Sequence, residues 1–119
     1  MADIIKKTED FVFNLFKEDL PNTFLYHNFT HTQRVLRSVK EIVDNSDIST
    51  KNSTVLQLAA LLHDTGYTKM RDGHEEESVK IATTFLEEQQ VEKQIIDTVN
   101  ECIMATKFKD VPNTGLGKV

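Results

Sequence analysis

Apolar residues recur along most of this chain at helical spacing. Between Asp3 and Asp19, Ile4, Ile5, Phe11, Val12, Leu15 and Phe16 form one stripe, which predicts a first helix ended by Pro21 and Asn22. Val35, Leu36, Val39, Ile42 and Val43 follow the i, i+4, i+7, i+8 pattern of a single buried face. They predict a second helix from near Thr30 to Asn45 and Ser46. A third helix is expected from an N-cap near Ser53 to Asp64, with Gly66 just beyond its end. A short loop, Tyr67 to Gly73, leads to a fourth helix that begins near His74 and buries Val79, Ala82, Phe85 and Leu86. The fifth begins near Val91 and buries Ile95, Ile96, Val99 and Ile103. The segment from Lys107 to Val119 carries Pro112, Gly115 and Gly117 and reads as irregular. Strand alternation is absent from the sequence, so the fold class is all-α, a bundle of about five helices.

Composition narrows the function classes. A chain of 119 residues fits a single domain, and 39% hydrophobic with 28% charged residues is a globular balance. Cys102 is the only cysteine, so no internal disulfide forms and a reducing, cytoplasmic setting is expected. No apolar run approaches the ~20 residues of a membrane span, and Met1 to Lys7 lacks a signal-peptide core. A net charge of −5 argues against nucleic acid as a partner. It leaves room for a local basic pocket that takes one phosphate.

Chemistry concentrates at His63-Asp64, which ends the apolar run Leu58-Ala59-Ala60-Leu61-Leu62. That run is expected to be buried, so Asp64 sits at the edge of a core, where an unpaired carboxylate is costly. An aspartate at a helix C-terminus also opposes the helix dipole, and a coordinated cation reverses both penalties. His31 lies one turn before Val35 and two before Val39, on the inward face of the second helix. If the second and third helices pack together, His31, His63 and Asp64 converge as a metal site. Imidazole and carboxylate donors suit Mn, Fe, Ni, Co, Zn or Mg to differing degrees. Taken singly, each residue has a plainer reading: His31 as a hydrogen-bonded core histidine, His63 as a cap on its helix, Asp64 as a helix-end residue. Their joint occurrence favours the metal.

Other candidates surround these three. His27, in Tyr26-His27-Asn28-Phe29-Thr30-His31-Thr32, is placed to protonate a leaving oxygen or is a surface imidazole. His74, in Gly73-His74-Glu75-Glu76-Glu77-Ser78, is a candidate ligand for a second metal or a loop residue; the glutamates suit a helix amino terminus. Lys69 and Arg71 contact a phosphate or are solvated cations, and Lys107 is a weaker candidate of the same kind. Cys102 reads as core filler.

Three segments in order, Tyr26 to Thr32, Leu61 to Tyr67 and His74 to Ser78, resemble the HD-domain superfamily of metal-dependent phosphohydrolases. The resemblance implies a helical bundle with one or two divalent cations. By it His31, His63 and Asp64 are ligands, Asp64 bridges if two metals are present, and His74 supplies a further ligand in some two-metal branches. The Tyr-His-Asn start is also similar to cyclic-nucleotide phosphodiesterases, which implies a general-acid role for His27. The family pattern is closed by a later aspartate on a further helix. No Asp follows Asp110, so residues 1–119 are expected to form one HD-like domain lacking that helix and its ligand.

The expected function is hydrolysis of a phosphate ester, nucleotide-like or another small molecule, by metal-activated water. The catalytic candidates are His27, Lys69 and Arg71. The alternatives are a non-catalytic HD-like binding or regulatory module with an incomplete site, and a helical interaction domain with structural histidines. A bundle short of one helix exposes apolar surface, so self-association is expected too.

Overall fold

The structure is a computed structural model. It describes residues 2–20, 22–68 and 74–109, without the side chains of residues 2, 3, 22–24, 26, 27 and 106–109. Five helices follow one another: α1 (Ala2–Asp19), α2 (Asn22–Asp44), α3 (Thr50–Leu62), α4 (His74–Glu88) and α5 (Lys93–Lys109). A 3-10 turn, Thr65–Thr68, lies between α3 and α4. There is no strand among the described residues, and the fold is an all-α bundle.

α3 is the centre and touches each of the other four helices. Val55, Leu58, Ala59, Ala60, Leu61 and Leu62 are all buried, so α3 is apolar around its circumference rather than on one stripe. Fully burying a leucine contributes roughly 1.5–3 kcal/mol, so Leu58, Leu61 and Leu62 anchor the domain on this helix. α1 brings Ile4, Val12 and Phe16 to the same core. Thr8 shares that face because its hydroxyl donates to the Ile4 carbonyl within the helix, at 2.6 Å. Phe11 of α1 stacks on Phe85 of α4, with ring centroids 4.2 Å apart. α5 buries Ile95, Ile96, Val99 and Ile103, the four residues its periodicity marks.

Several boundaries differ from expectation. α2 starts at Asn22, not near Thr30, leaving two residues between it and the end of α1. Buried Leu25, Thr32 and Leu36, with partly buried Phe29 between them, keep one helical face running inward across the expected break. Ser49, not Ser53, caps α3; its hydroxyl accepts from the Asn52 N–H at 3.1 Å. α3 ends at Leu62, with His63 as its C-cap, and Tyr67 sits in the 3-10 turn. α5 begins at Lys93, two residues later than expected. The expected stripe of α2 is only partly buried. Leu36 is inside, Val35 and Val39 are half-buried, and Ile42 is 58% exposed. Of the segment Lys107 to Val119, read as irregular, residues 107–109 instead continue α5 to its end, and 110–119 lie outside the described residues.

Candidate metal centre

The α3 C-terminus delivers His63 and Asp64 to the junction of α2, α4 and the 3-10 turn. Three hydrogen bonds set the backbone there. The Ser78 hydroxyl of α4 donates to the His63 carbonyl at 2.8 Å and accepts from the Gly66 N–H at 2.7 Å. The Thr65 hydroxyl donates to the Leu62 carbonyl at 2.7 Å. Gly66 lies against α4 so closely that a Cβ there would collide with the His74 carbonyl oxygen. Glycine at this position therefore serves close approach. α4 and the end of α3 form one clamped unit.

Asp64 is the hub. Its Oδ2 lies 3.1 Å from His63 Nε2 and 3.4 Å from His31 Nε2. Its Oδ1 lies 3.2 Å from His74 Nε2. The ligand atoms of His31, His63 and Asp64 all fall within 4.8 Å of one another. His63, Asp64 and His74 are buried, while His31 is half-exposed on the α2 side. α2 and α3 pack together, as the convergence of these three side chains requires. Burial pushes the Asp64 carboxyl up, but the hydrogen bond to His63 and the charges of His63, His31 and His74 outweigh it. The group is held below the ordinary carboxylate range.

The donor set fits a divalent cation. His63 Nδ1 lies 2.8 Å from the Ala60 carbonyl oxygen, which only accepts, so Nδ1 carries the proton. In neutral His63 the Nε2 lone pair then faces the Asp64 carboxylate oxygen at 3.1 Å. Two acceptors at that distance repel unless a cation or a proton stands between them. Ligand atoms bonded at about 2.0–2.2 Å to one ion lie about 3 Å apart when adjacent, close to the 3.1 and 3.4 Å between Asp64 Oδ2 and the His63 and His31 imidazoles. The Ala60 carbonyl also orients the ring, as partners of metal-binding histidines commonly do.

Glu75 was missed by sequence reasoning. It is buried, and its Oε2 lies 3.3 Å from His74 Nε2. The Glu75-Glu76-Glu77 run suggests a solvated helix start. Yet Glu75 lies three residues before buried Ser78 and seven before buried Ala82, so the inward stripe of α4, traced backward, reaches it. Tyr67 stacks on His74, with centroids 4.1 Å apart and planes 16° apart.

A cavity of about 480 Å³ opens over the cluster, with His31, His63, Asp64 and His74 at one end. Cys102 is half-buried and packs against the core, as expected, and it also lines this cavity. Burial and then the Glu101 charge push its thiol up. His27 lies within α2, but its side chain is outside the described residues, as are Lys69 and Arg71. No helix among the described residues is long and apolar enough to cross a membrane.

The family model described as "HD domain" matches residues 28–107, which include His31, His63, Asp64 and His74. No curated protein and no solved structure matches the chain.

Proposed function

The chain belongs to the HD domain family, and from that premise we propose that it is a metal-dependent phosphohydrolase acting on a phosphate ester of a small molecule. The observation that carries the reading is the meeting of His31 Nε2, His63 Nε2 and Asp64 Oδ2 at the mouth of a cavity. These atoms would hold one divalent cation, of the Mn, Fe, Ni, Co, Zn or Mg type. Asp64 Oδ1 and His74 Nε2 are the chain's donors toward a second. A cation at such a site acidifies water and offsets charge on phosphoryl oxygens.

Hydrolysis forms one P–O bond from water and breaks the ester P–O bond, and the leaving oxygen takes up a proton. The chain's own part is positional. His63 is locked in the tautomer that presents Nε2, because its Nδ1 proton is committed to Ala60. Asp64 stays ionised at neutral pH, since its neighbours favour the carboxylate. In this reading His27 protonates the leaving oxygen and Lys69 or Arg71 contacts the phosphoryl group. A nucleotide is one candidate ester.

The test is metal content of the purified protein, followed by turnover of mono- and bis-p-nitrophenyl phosphate with manganese. The expected result is stoichiometric metal and turnover, both abolished by His63→Ala. Turnover that survives His63→Ala would refute the site. Metal without turnover would make the chain a non-catalytic HD-like module, and neither would leave a helical interaction domain.

A further inference from the structure

The cavity over Asp64 has two unlike halves. One holds the imidazoles and the carboxylate described above. The other is walled by Val35 and Val39 of α2, Leu56, Ala59 and Ala60 of α3, and the Cys102 thiol of α5. That half contains no amide, carboxylate or cationic side chain among the described residues. The thiol, held protonated by burial, behaves as a small hydrophobe. Tyr67, stacked on His74, also lines the cavity and contributes a phenolic oxygen. Among the described residues, the large hydrophobic side chains of Tyr67 and Ile42 are exposed. Tyr67 lines the cavity, and Ile42 sits one turn past Val39 on the α2 face that also carries Val35. The half-buried Val35 and Val39 and the exposed Ile42 thus lie along one side of α2 that leads away from the carboxylate.

We infer that the ester bound here carries an apolar body, an alkyl or aryl group, laid along the α2 wall with its phosphate at the Asp64 end. The inference rests on the phosphohydrolase reading for the phosphate end only. From His31 to Val39 the helix rises on the order of 12 Å, and one more turn reaches Ile42. A body of that length is covered by Val35, Val39 and Leu56, and the small Ala59 and Ala60 leave it room. A nucleoside would instead bring ribose hydroxyls and base-edge groups against a wall whose described side chains offer nothing to pair them, and each unpaired group loses roughly ten-fold in affinity.

Calorimetric titration of the manganese-supplemented protein with methyl-, butyl-, hexyl- and octylphosphonic acid tests this, with adenosine monophosphate as the polar comparator. Phosphonates are not cleaved, so the result is independent of turnover. Each buried methylene is worth up to about four-fold. Affinity is therefore expected to rise roughly two- to four-fold per methylene from butyl to octyl, and octylphosphonate to bind more tightly than the nucleotide. Val39→Asn is expected to flatten that rise, and Leu56→Asn is a second variant should the first not fold. An affinity flat with chain length, absent binding, or tighter binding of the nucleotide overturns the inference. If the phosphohydrolase reading alone is wrong, phenyl phosphate is not turned over while the chain-length dependence persists.

Discussion

Ser78→Ala isolates the clamp between α4 and the end of α3. The side chain is fully buried and joins the Gly66 N–H, at 2.7 Å, to the His63 carbonyl, at 2.8 Å. Alanine keeps the volume but leaves a buried donor and a buried acceptor without this partner. Each such loss costs about 1–3 kcal/mol. Relaxation recovers some of it, so the expected destabilisation is about 2–4 kcal/mol. A chain of 119 residues is stable by about 6–18 kcal/mol, at ~0.05–0.15 kcal/mol per residue, so the variant still folds. At about 4 °C per kcal/mol for this size, Tm should fall by roughly 8–16 °C in thermal unfolding of metal-free protein. Ser78 touches no ligand atom; it positions the backbone that carries His63 and Asp64. Manganese affinity, measured where both proteins are fully folded, should therefore weaken by about ten-fold, as when other partners that orient metal ligands are lost. Lys80→Ala is the comparison. It removes an exposed pair with Glu77 three residues away, at 3.1 Å, and should cost under ~0.5 kcal/mol. If Ser78→Ala behaves like Lys80→Ala in both assays, the clamp is not what holds the site.

Two further expectations follow from the same geometry. Gly66→Ala drives a methyl group into the His74 carbonyl, and its nearest neighbours are backbone atoms that cannot swing aside; urea unfolding should show a loss of at least ~3 kcal/mol. The Asp64 carboxyl is depressed in the folded protein, so the unfolded chain takes up the proton first as pH falls. Its stabilisation is complete above about pH 4, the ordinary carboxylate value, and is lost as pH drops through the lower folded value. In chelator, the stability gap between the native protein and Asp64→Asn should narrow below pH ~4; a gap that widens there contradicts the assigned sign.

Residues whose burial follows from spacing alone were legible without coordinates. Ile95, Ile96, Val99 and Ile103 form such a set, and so does the α3 run that ends at His63-Asp64. The meeting of His31, His63 and Asp64 was legible because helix phase put His31 in line with Val35 and Val39, on the side of α2 that borders the cavity. What escaped depended on tertiary contact. Ser49 and Ser53 are both sound caps, and nothing local separates them. Ile42 belongs to the α2 stripe by phase, but the helix leaves the core where the cavity opens, so the same periodicity ends in solvent. Glu75 was hidden because a run of three glutamates looks like a solvated helix start, whereas its first member faces His74. Ser78 could not be singled out, since its partners lie 12 and 15 residues away in sequence.

Because the second half of α3 is largely buried against the other four helices, the two residues at its end stand on the most protected part of the molecule. Val35 and Val39, by contrast, lie on a peripheral helix that is half in water. Drift at the latter positions costs the fold little, while drift at the former threatens the whole bundle. Substitution at Val35 or Val39 is therefore expected to spare the fold where substitution at the end of α3 does not.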